Sequence, residues 1–324
     1  MPRVLYSGWD YSDIELERSL FAAAGIELVA AQCSTEEDVI AAATGCAGIL
    51  AQYVPIGERA IAALPRLGII SRIGAGYDNV DTAACARHGV WVANSPDYGI
   101  GEVATHALAL ALGLVRNIVA YHRDIQAGTW SYLSSGKLRR PGDMTLGIVG
   151  LGRIGKRMAH VSRNVFKRVV ACDPYLIDGD FPAYVERVHD PVGLFDASDL
   201  VSIHTPLTSE TRGMVGRELF ERMQRGSWIV NTARGAIVNA DDLLGALDSG
   251  ILAGAGLDVL PVEPVPTESR LLGHPKVILT PHAAFFSAQA EVELRRKAAQ
   301  NIVSWLERGQ PDYVVTAGSR KPAG

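Results

Sequence analysis

The chain has 324 residues, 48% hydrophobic and 20% charged, and its 31 basic and 35 acidic side chains leave a formal net charge of −4. That length accommodates two domains with sizeable cores, and the near-balanced charge, with no long run of one sign, excludes the basic stripe that direct nucleic-acid binding needs. The four cysteines, Cys33, Cys46, Cys85 and Cys172, form no Cys-x-x-Cys pair, so neither a zinc or other metal site nor a disulfide framework is expected, and a reducing, cytoplasmic setting fits.

The first residues, "MPRVLYSGWD", lack the apolar core of a signal peptide. Short apolar β-type runs then alternate with helical ones: "VLYSG", a helix over 12–24, "ELVAA", a helix over 35–43, "GILAQ", a helix over 57–64, "LGIISRI", a helix over 81–88 and "VWVAN". Such alternation predicts a parallel sheet covered by helices. Ser34 and Glu37 have capping-box spacing at the start of the second helix, and Gly25 and Gly89 stand where the first and last helices should end. This series closes near residue 98.

A long helical run over 101–127 follows. It contains the longest apolar stretch, "VATHALALALGLVRNIVA", which His106, Arg116 and Asn117 interrupt, so it reads as a buried or subunit-contacting helix and not as a membrane span. Its Ala and Leu content suggests the core of a homodimer. Six strand-like runs come next, "TLGIVG", "RVVACD", "DLVSIHT", "GSWIVNT", "AGAGLDV" and "VILTPH", which suits a six-stranded doubly wound sheet. The amphipathic run 288–308, ended by Gly309, has no strand to follow it and is expected to pack back on the first series. The expected fold is therefore α/β with two doubly wound parallel-sheet domains and a cleft between them. One is a smaller flavodoxin-like substrate domain over 1–98 plus 285–324, and the other a Rossmann cofactor domain over 99–284.

The Rossmann assignment rests on Gly150-x-Gly152-x-x-Gly155, directly after a strand run and opening a helical one, with Arg153 and Ile154 between the last two glycines. Glycines at these positions let backbone amides approach a pyrophosphate at a helix N-terminus. Asp173, at the end of the next strand run, can accept hydrogen bonds from an adenosine ribose and repels a 2′-phosphate, so NAD(H) is expected over NADP(H).

Hydride transfer also needs a group that gives or takes a proton. His282 in "LTPHAAFF", Glu263 in "GLDVLPVEP" and Arg234 in "VNTARG" all lie just past strand runs, where the carboxyl ends of parallel strands open to ligands. Their chemistry assigns roles: Arg234 to hold a carboxylate and polarise a carbonyl, Glu263 to orient His282 and favour its protonated form, and His282 to act as acid or base.

The glycine loop with Asp173, followed in order by "HTPLTSETRGMV", "VNTARGAIVN", "GLDVLPVEP" and "LTPHAA", resembles the NAD-dependent D-2-hydroxyacid dehydrogenase family over residues 45–310. The resemblance implies that Arg234, Glu263 and His282 form the catalytic set for a small 2-oxo or 2-hydroxy acid. It also implies that His204, Thr205, Pro206, Thr211, Thr232, Ala233 and Asp258 line the adenine and nicotinamide pockets, and that "SRIGAGYDNVD" holds the substrate carboxylate through Ala75 and Gly76 beside Arg72. Thr105 stands where many members have Glu, and nothing past residue 310 corresponds to the regulatory domain of longer phosphoglycerate dehydrogenases.

"CDPYLIDGD" and "AAFFSAQ" are similar to the carboxy-terminal-binding proteins, a branch whose animal members are NAD(H)-responsive corepressors. That likeness supports an alternative, an NAD(H)-sensing binding protein with slow or vestigial chemistry. Phe285 in the same stretch favours an apolar or bulky oxo acid over a phosphorylated one. A small inorganic or one-carbon acid is a third candidate substrate.

Overall fold

The computed structural model describes residues 1–322. The described chain divides into two compact units, residues 1–99 with those from 287 onward, and residues 100–286. The crossings fall at 99/100 and 286/287, so Phe285 and Phe286 belong to the second unit.

In the first unit the chain runs β1 (Arg3–Ser7), α1 (Glu15–Ala23), β2 (Glu27–Ala31), α2 (Glu36–Ala42), β3 (Gly48–Ala51), α3 (Glu58–Ala63), β4 (Ile69–Arg72), α4 (Thr82–His88) and β5 (Trp91–Ala93). Strands β1, β3 and β4 are buried almost throughout, as parallel strands covered on both faces must be. Parallel pairing gives the order β2-β1-β3-β4-β5, the flavodoxin-like arrangement. Helix α2 starts one residue later than its sequence suggested: Thr35 caps Asp38 N–H, and Asp38 reaches back to the N–H groups of Thr35 and Ser34. With Thr35 and not Ser34 as the N-cap, the capping-box position three residues on falls on Asp38 and not on Glu37.

The second unit runs α5 (Ile100–Val115), α6 (Ile118–Gln126), β6 (Thr145–Val149), α7 (Arg153–Ser162), β7 (Arg168–Cys172), β8 (Glu186–Arg187), α8 (Pro191–Ala197), β9 (Leu200–Ile203), α9 (Arg217–Arg222), β10 (Ser227–Asn231), α10 (Ala240–Ser249), β11 (Leu252–Leu257) and β12 (Val277–Leu279). Its sheet has seven strands, β8-β7-β6-β9-β10-β11-β12, all parallel, and the order reverses at β6. The seventh strand, β8, has two residues and no apolar alternation, which is why a six-stranded sheet was expected.

The single helix expected over 101–127 is two, bent by 58° at Asn117, whose φ of 52° lies in the left-handed region. No single helix among the described residues is long and apolar enough to cross a membrane. Instead α5 buries Leu110 and Leu114 against β11, where "AGAGL" makes room. A Cβ at Gly254 would stand 3.0 Å from Leu114, and one at Gly256 3.0 Å from Leu110. Burying each leucine contributes about 1.5–3 kcal/mol.

After the second crossing, α11 (Ala288–Arg308) lies against α1, β3 and β4, and β13 (Val314–Thr316) adds an antiparallel edge beside β5. This last strand was not expected. Fully buried Asn301 organises the return: its amide N–H donates to Asn94 C=O at 2.9 Å, and its oxygen accepts from Tyr313 N–H at 3.0 Å, which turns the chain into β13.

Candidate active site

The switch point of the second sheet lies between β6 and β9, where a doubly wound fold opens a ligand crevice. Gly150 has a φ of 85°, and a Cβ there would stand 2.9 Å from the His204 carbonyl oxygen. A Cβ on Gly155 would fall 2.1 Å from Gly150 O, so only glycine lets α7 start this close to the loop. Gly152, the N-cap of α7, offers no side chain to the first helical amides and meets nothing within 4 Å, which leaves those amides for an anion.

Asp173 is fixed by Leu151 N–H at 2.9 Å and Tyr175 N–H at 3.0 Å, each on a different carboxylate oxygen. Facing loops are tied together by the Tyr175 hydroxyl, which donates to Glu210 at 2.8 Å; sequence patterns gave no sign of this pair, whose members are 35 residues apart. At the carboxyl end of β10, Thr232 Oγ1 is buried without a hydrogen-bond partner among the described residues. A cradle that a Cβ would fill, uncapped helix amides, an anchored acid and an orphaned hydroxyl together fit a dinucleotide.

Other positions expected at the cofactor have structural tasks as well. Thr211 Oγ1 donates to Pro206 C=O at 2.7 Å and accepts from Thr208 N–H at 2.8 Å, which shapes the loop after Thr205. His204 Nε2 is 2.8 Å from Ser202 Oγ, and burial lowers its pKa to about 4, so the ring is neutral near pH 7. Ala233 N–H donates to Asn231 Oδ1 at 3.0 Å while Asn231 Nδ2 donates to Arg234 C=O at 2.9 Å, a brace that aims the residues after β10.

That brace positions Arg234. Next to it, Gly235 approaches the following segment so closely that a Cβ would lie 1.9 Å from Leu260 C, which brings "TARG" against "VLPVEP". Glu263 Oε1 accepts from Leu260 N–H at 2.8 Å, and Oε2 lies 2.6 Å from His282 Nδ1. Burial pushes the Glu263 carboxyl up, but the bonds from His282 and Leu260 and the charge of Arg234 outweigh it, and its pKa is lowered.

His282 has a φ of 53°, a conformation that costs a non-glycine residue roughly 1–2 kcal/mol. Asp258, 2% exposed, offsets that cost. Its carbonyl accepts His282 N–H at 2.8 Å, and its carboxylate accepts from Thr280 Oγ1 at 2.6 Å and from the N–H groups of Ala283 and Ala284 at 2.9 Å each. His106 Nε2 adds a contact to Thr280 Oγ1 at 3.0 Å. Asp258, expected as a pocket residue, thus also anchors the loop, and His106 and Thr280, which carried no motif, support it. Phe285 packs edge-on to His282, ring centroids 6.5 Å apart.

The structure therefore gathers Arg234, Glu263, His282 and Phe285 in the second unit. Arg72, Ala75 and Gly76 lie in the first unit, at the end of β4 and in the loop after it. There Asn94 Nδ2 donates to Ala75 C=O at 2.6 Å and Ser95 N–H to Gly74 C=O at 2.9 Å, which pins the loop to the end of β5. Among the described residues no three His, Cys, Asp or Glu side chains converge as metal ligands.

Comparison with known proteins identifies the family. The profile of the D-isomer specific 2-hydroxyacid dehydrogenase NAD binding domain matches residues 108–284. A glyoxylate reductase from Korarchaeum cryptofilum is 35% identical across 81% of this chain and 80% of its own length. D-3-phosphoglycerate dehydrogenase from Bacillus subtilis is 33% identical over 74% of this chain, which spans only 46% of that longer protein. Among solved structures, an NAD-dependent formate dehydrogenase from Staphylococcus aureus in complex with NAD has a TM-score of 0.87 at 26% identity, covering 98% of this chain and 100% of that one. The chain belongs to the NAD-dependent D-2-hydroxyacid dehydrogenases, oxidoreductases with a Rossmann domain for NAD.

Proposed function

We propose that the protein reversibly reduces a small 2-oxo acid to its D-2-hydroxy acid, with His282 as acid/base, Glu263 as its orienter and Arg234 as the carboxylate and carbonyl binder. One observation carries this reading: the 2.6 Å contact between His282 Nδ1 and Glu263, made by a histidine held in left-handed backbone. With Nδ1 engaged, Nε2 is the ring nitrogen left for substrate. NADH, when bound, supplies the hydride that adds to the carbonyl carbon. His282 gives its Nε2 proton to the carbonyl oxygen while Glu263 holds the ring through Nδ1; in oxidation Nε2 takes the hydroxyl proton back. The Arg234 fork binds the carboxylate and draws charge from the carbonyl, and within the first unit Arg72, Ala75 and Gly76 are the candidate carboxylate binders. Asp173 disfavours a 2′-phosphate and so favours NADH over NADPH.

The test follows absorbance at 340 nm with NADH and NADPH across glyoxylate, pyruvate, hydroxypyruvate, branched and aromatic 2-oxo acids, with formate and phosphite for oxidation. Turnover of an oxo acid with NADH, lowered about 10² to 10⁴-fold in His282→Asn with NADH binding retained, supports the assignment. Tight NADH binding without turnover of any acid supports the sensing alternative, whose motivating feature is Phe286, 59% exposed beside Phe285.

A homodimer is part of the same reading. One face of α5 is occupied by its own sheet, so the apolar surface lies further on, with Ile118 57%, Trp130 89%, Tyr132 81% and Leu133 65% exposed. Tyr121 OH, donating to Tyr132 C=O at 2.7 Å, ties that segment to α6. Sedimentation at the dimer mass supports this partner, and a monomer at micromolar concentration contradicts it.

A further inference from the structure

The carboxyl edge of the first sheet holds polar side chains that the chemistry above does not use. The loop after β1 is fixed there: Gly8 N–H donates to Ala31 C=O at 3.1 Å, and Gln32 clasps Trp9, accepting from its N–H at 3.2 Å and donating to its C=O at 3.0 Å. This clasp sets Asp10, whose two oxygens accept from Gln52 Nε2 at 2.6 Å and from the Tyr53 hydroxyl at 3.0 Å. Tyr11 is held by its ring, with the Arg295 guanidinium 4.7 Å from the centroid, and Arg295 is locked to buried Glu17 through two bonds of 2.8 Å.

Several buried polar atoms at this edge have no hydrogen-bond partner among the described residues. Gln52 is 2% exposed and Tyr6 fully buried, yet Gln52 Oε1 and the hydroxyls of Tyr6 and Tyr11 find no hydrogen bond among the described residues. Each such atom costs about 1–3 kcal/mol, a penalty that a ligand's polar group removes. Gln52 directly follows β3, whose last residue, Ala51, pairs in register with Arg72. The unpartnered acceptor therefore stands one strand from the start of the Ala75 and Gly76 loop, at the edge where parallel sheets bind ligands.

We propose that Asp10, Gln52 and the hydroxyls of Tyr6, Tyr11 and Tyr53 form the subsite for the substrate's side chain. It selects 2-oxo acids whose side chain carries a neutral hydrogen-bond donor and rejects those ending in a second carboxylate or a phosphate. This rests on the oxo-acid reductase reading, with its carboxylate at Arg72, Ala75 and Gly76. Asp10 as a carboxylate has lone pairs beyond its two present bonds, and a hydroxyl donating to it makes a charge-assisted bond. An anionic tail brings like charge to the same carboxylate, and the two repel. A site built for a donor also rejects the analogue that lacks it, because its own acceptors then stay unpaired.

The test compares kcat/KM within matched pairs on the intact protein: hydroxypyruvate against pyruvate, and 4-hydroxyphenylpyruvate against phenylpyruvate, with oxaloacetate and 3-phosphohydroxypyruvate as anionic tails. The hydroxyl-bearing member is expected to lead by about tenfold or more in at least one pair, and the anionic acids to trail it by about 100-fold. Asp10→Asn should shrink the gap to the anionic acids about tenfold, and Gln52→Leu should reduce the hydroxyl preference. Each ratio is taken within one preparation, so partial unfolding cancels. Equal use of both members in both pairs, preference for an anionic tail, or ratios untouched by either substitution would overturn the subsite while leaving the reductase intact. No NADH oxidation with any acid, glyoxylate included, would overturn the reductase reading and the subsite together.

Discussion

Asp258 and Gln52 occupy equivalent places in the two units: each directly follows a strand of a parallel sheet, β11 for Asp258 and β3 for Gln52, and each is 2% exposed. Asp258 is satisfied from within, its carboxylate held by Thr280, Ala283 and Ala284. Gln52 donates to Asp10, and its Oε1 has no partner among the described residues. The same position in the same kind of fold thus serves two ends. Internal satisfaction makes a rigid loop that can hold His282 in an unfavourable backbone conformation, whereas an unsatisfied edge retains hydrogen-bonding capacity for a ligand.

The sharpest way to break this comparison is Asp258→Ala. It leaves the half-buried amide of Ala283, the buried amide of Ala284 and the Thr280 hydroxyl without their acceptor, so stability should fall by about 3 kcal/mol in denaturant unfolding. Turnover should drop about 100-fold as His282 loses its placement, since small displacements at the reacting group are costly.

Acid pH offers a gentler probe of the same site. The Glu263 pKa is lowered, so its contact with His282 contributes fully above the ordinary glutamate value of about 4.3 and is lost only as pH falls through the lower folded value. Protonation of Glu263 should therefore leave kcat unchanged down to about pH 4.3, and a Glu263-dependent loss between pH 5 and 6 would contradict the geometry. The smallest effect is expected at the other edge. Gln52→Leu removes the unpartnered oxygen along with the bond to exposed Asp10, so stability should change by less than about 1 kcal/mol. A loss near that of Asp258→Ala would show that Gln52 is structural.

Much of this architecture is written locally. The glycine loop, Asp173 and the strand runs declare themselves because each feature lies within a few residues of its context. Arg234, Glu263 and His282 could be placed because each follows a strand, and their encounter was inferred from chemistry. What stayed hidden depends on distant pairings. Strand β8 is too short to show a period, and β13 exists because Asn301 captures Tyr313. The break in the long apolar helix comes from Asn117 in left-handed backbone, within a sequence otherwise suited to continue. Asp10 meets Gln52 and Tyr53 across about forty residues, and no spacing rule links them.

The central claim is that Glu263 acts through His282. A double-mutant cycle on kcat, with Glu263→Gln, His282→Asn and the two combined, tests it most directly. Glu263→Gln alone should slow turnover about 10 to 100-fold, and the combined variant should be no slower than His282→Asn, because the carboxylate has nothing left to orient. Losses that multiply in the combined variant would show that the two residues act independently and would contradict the account.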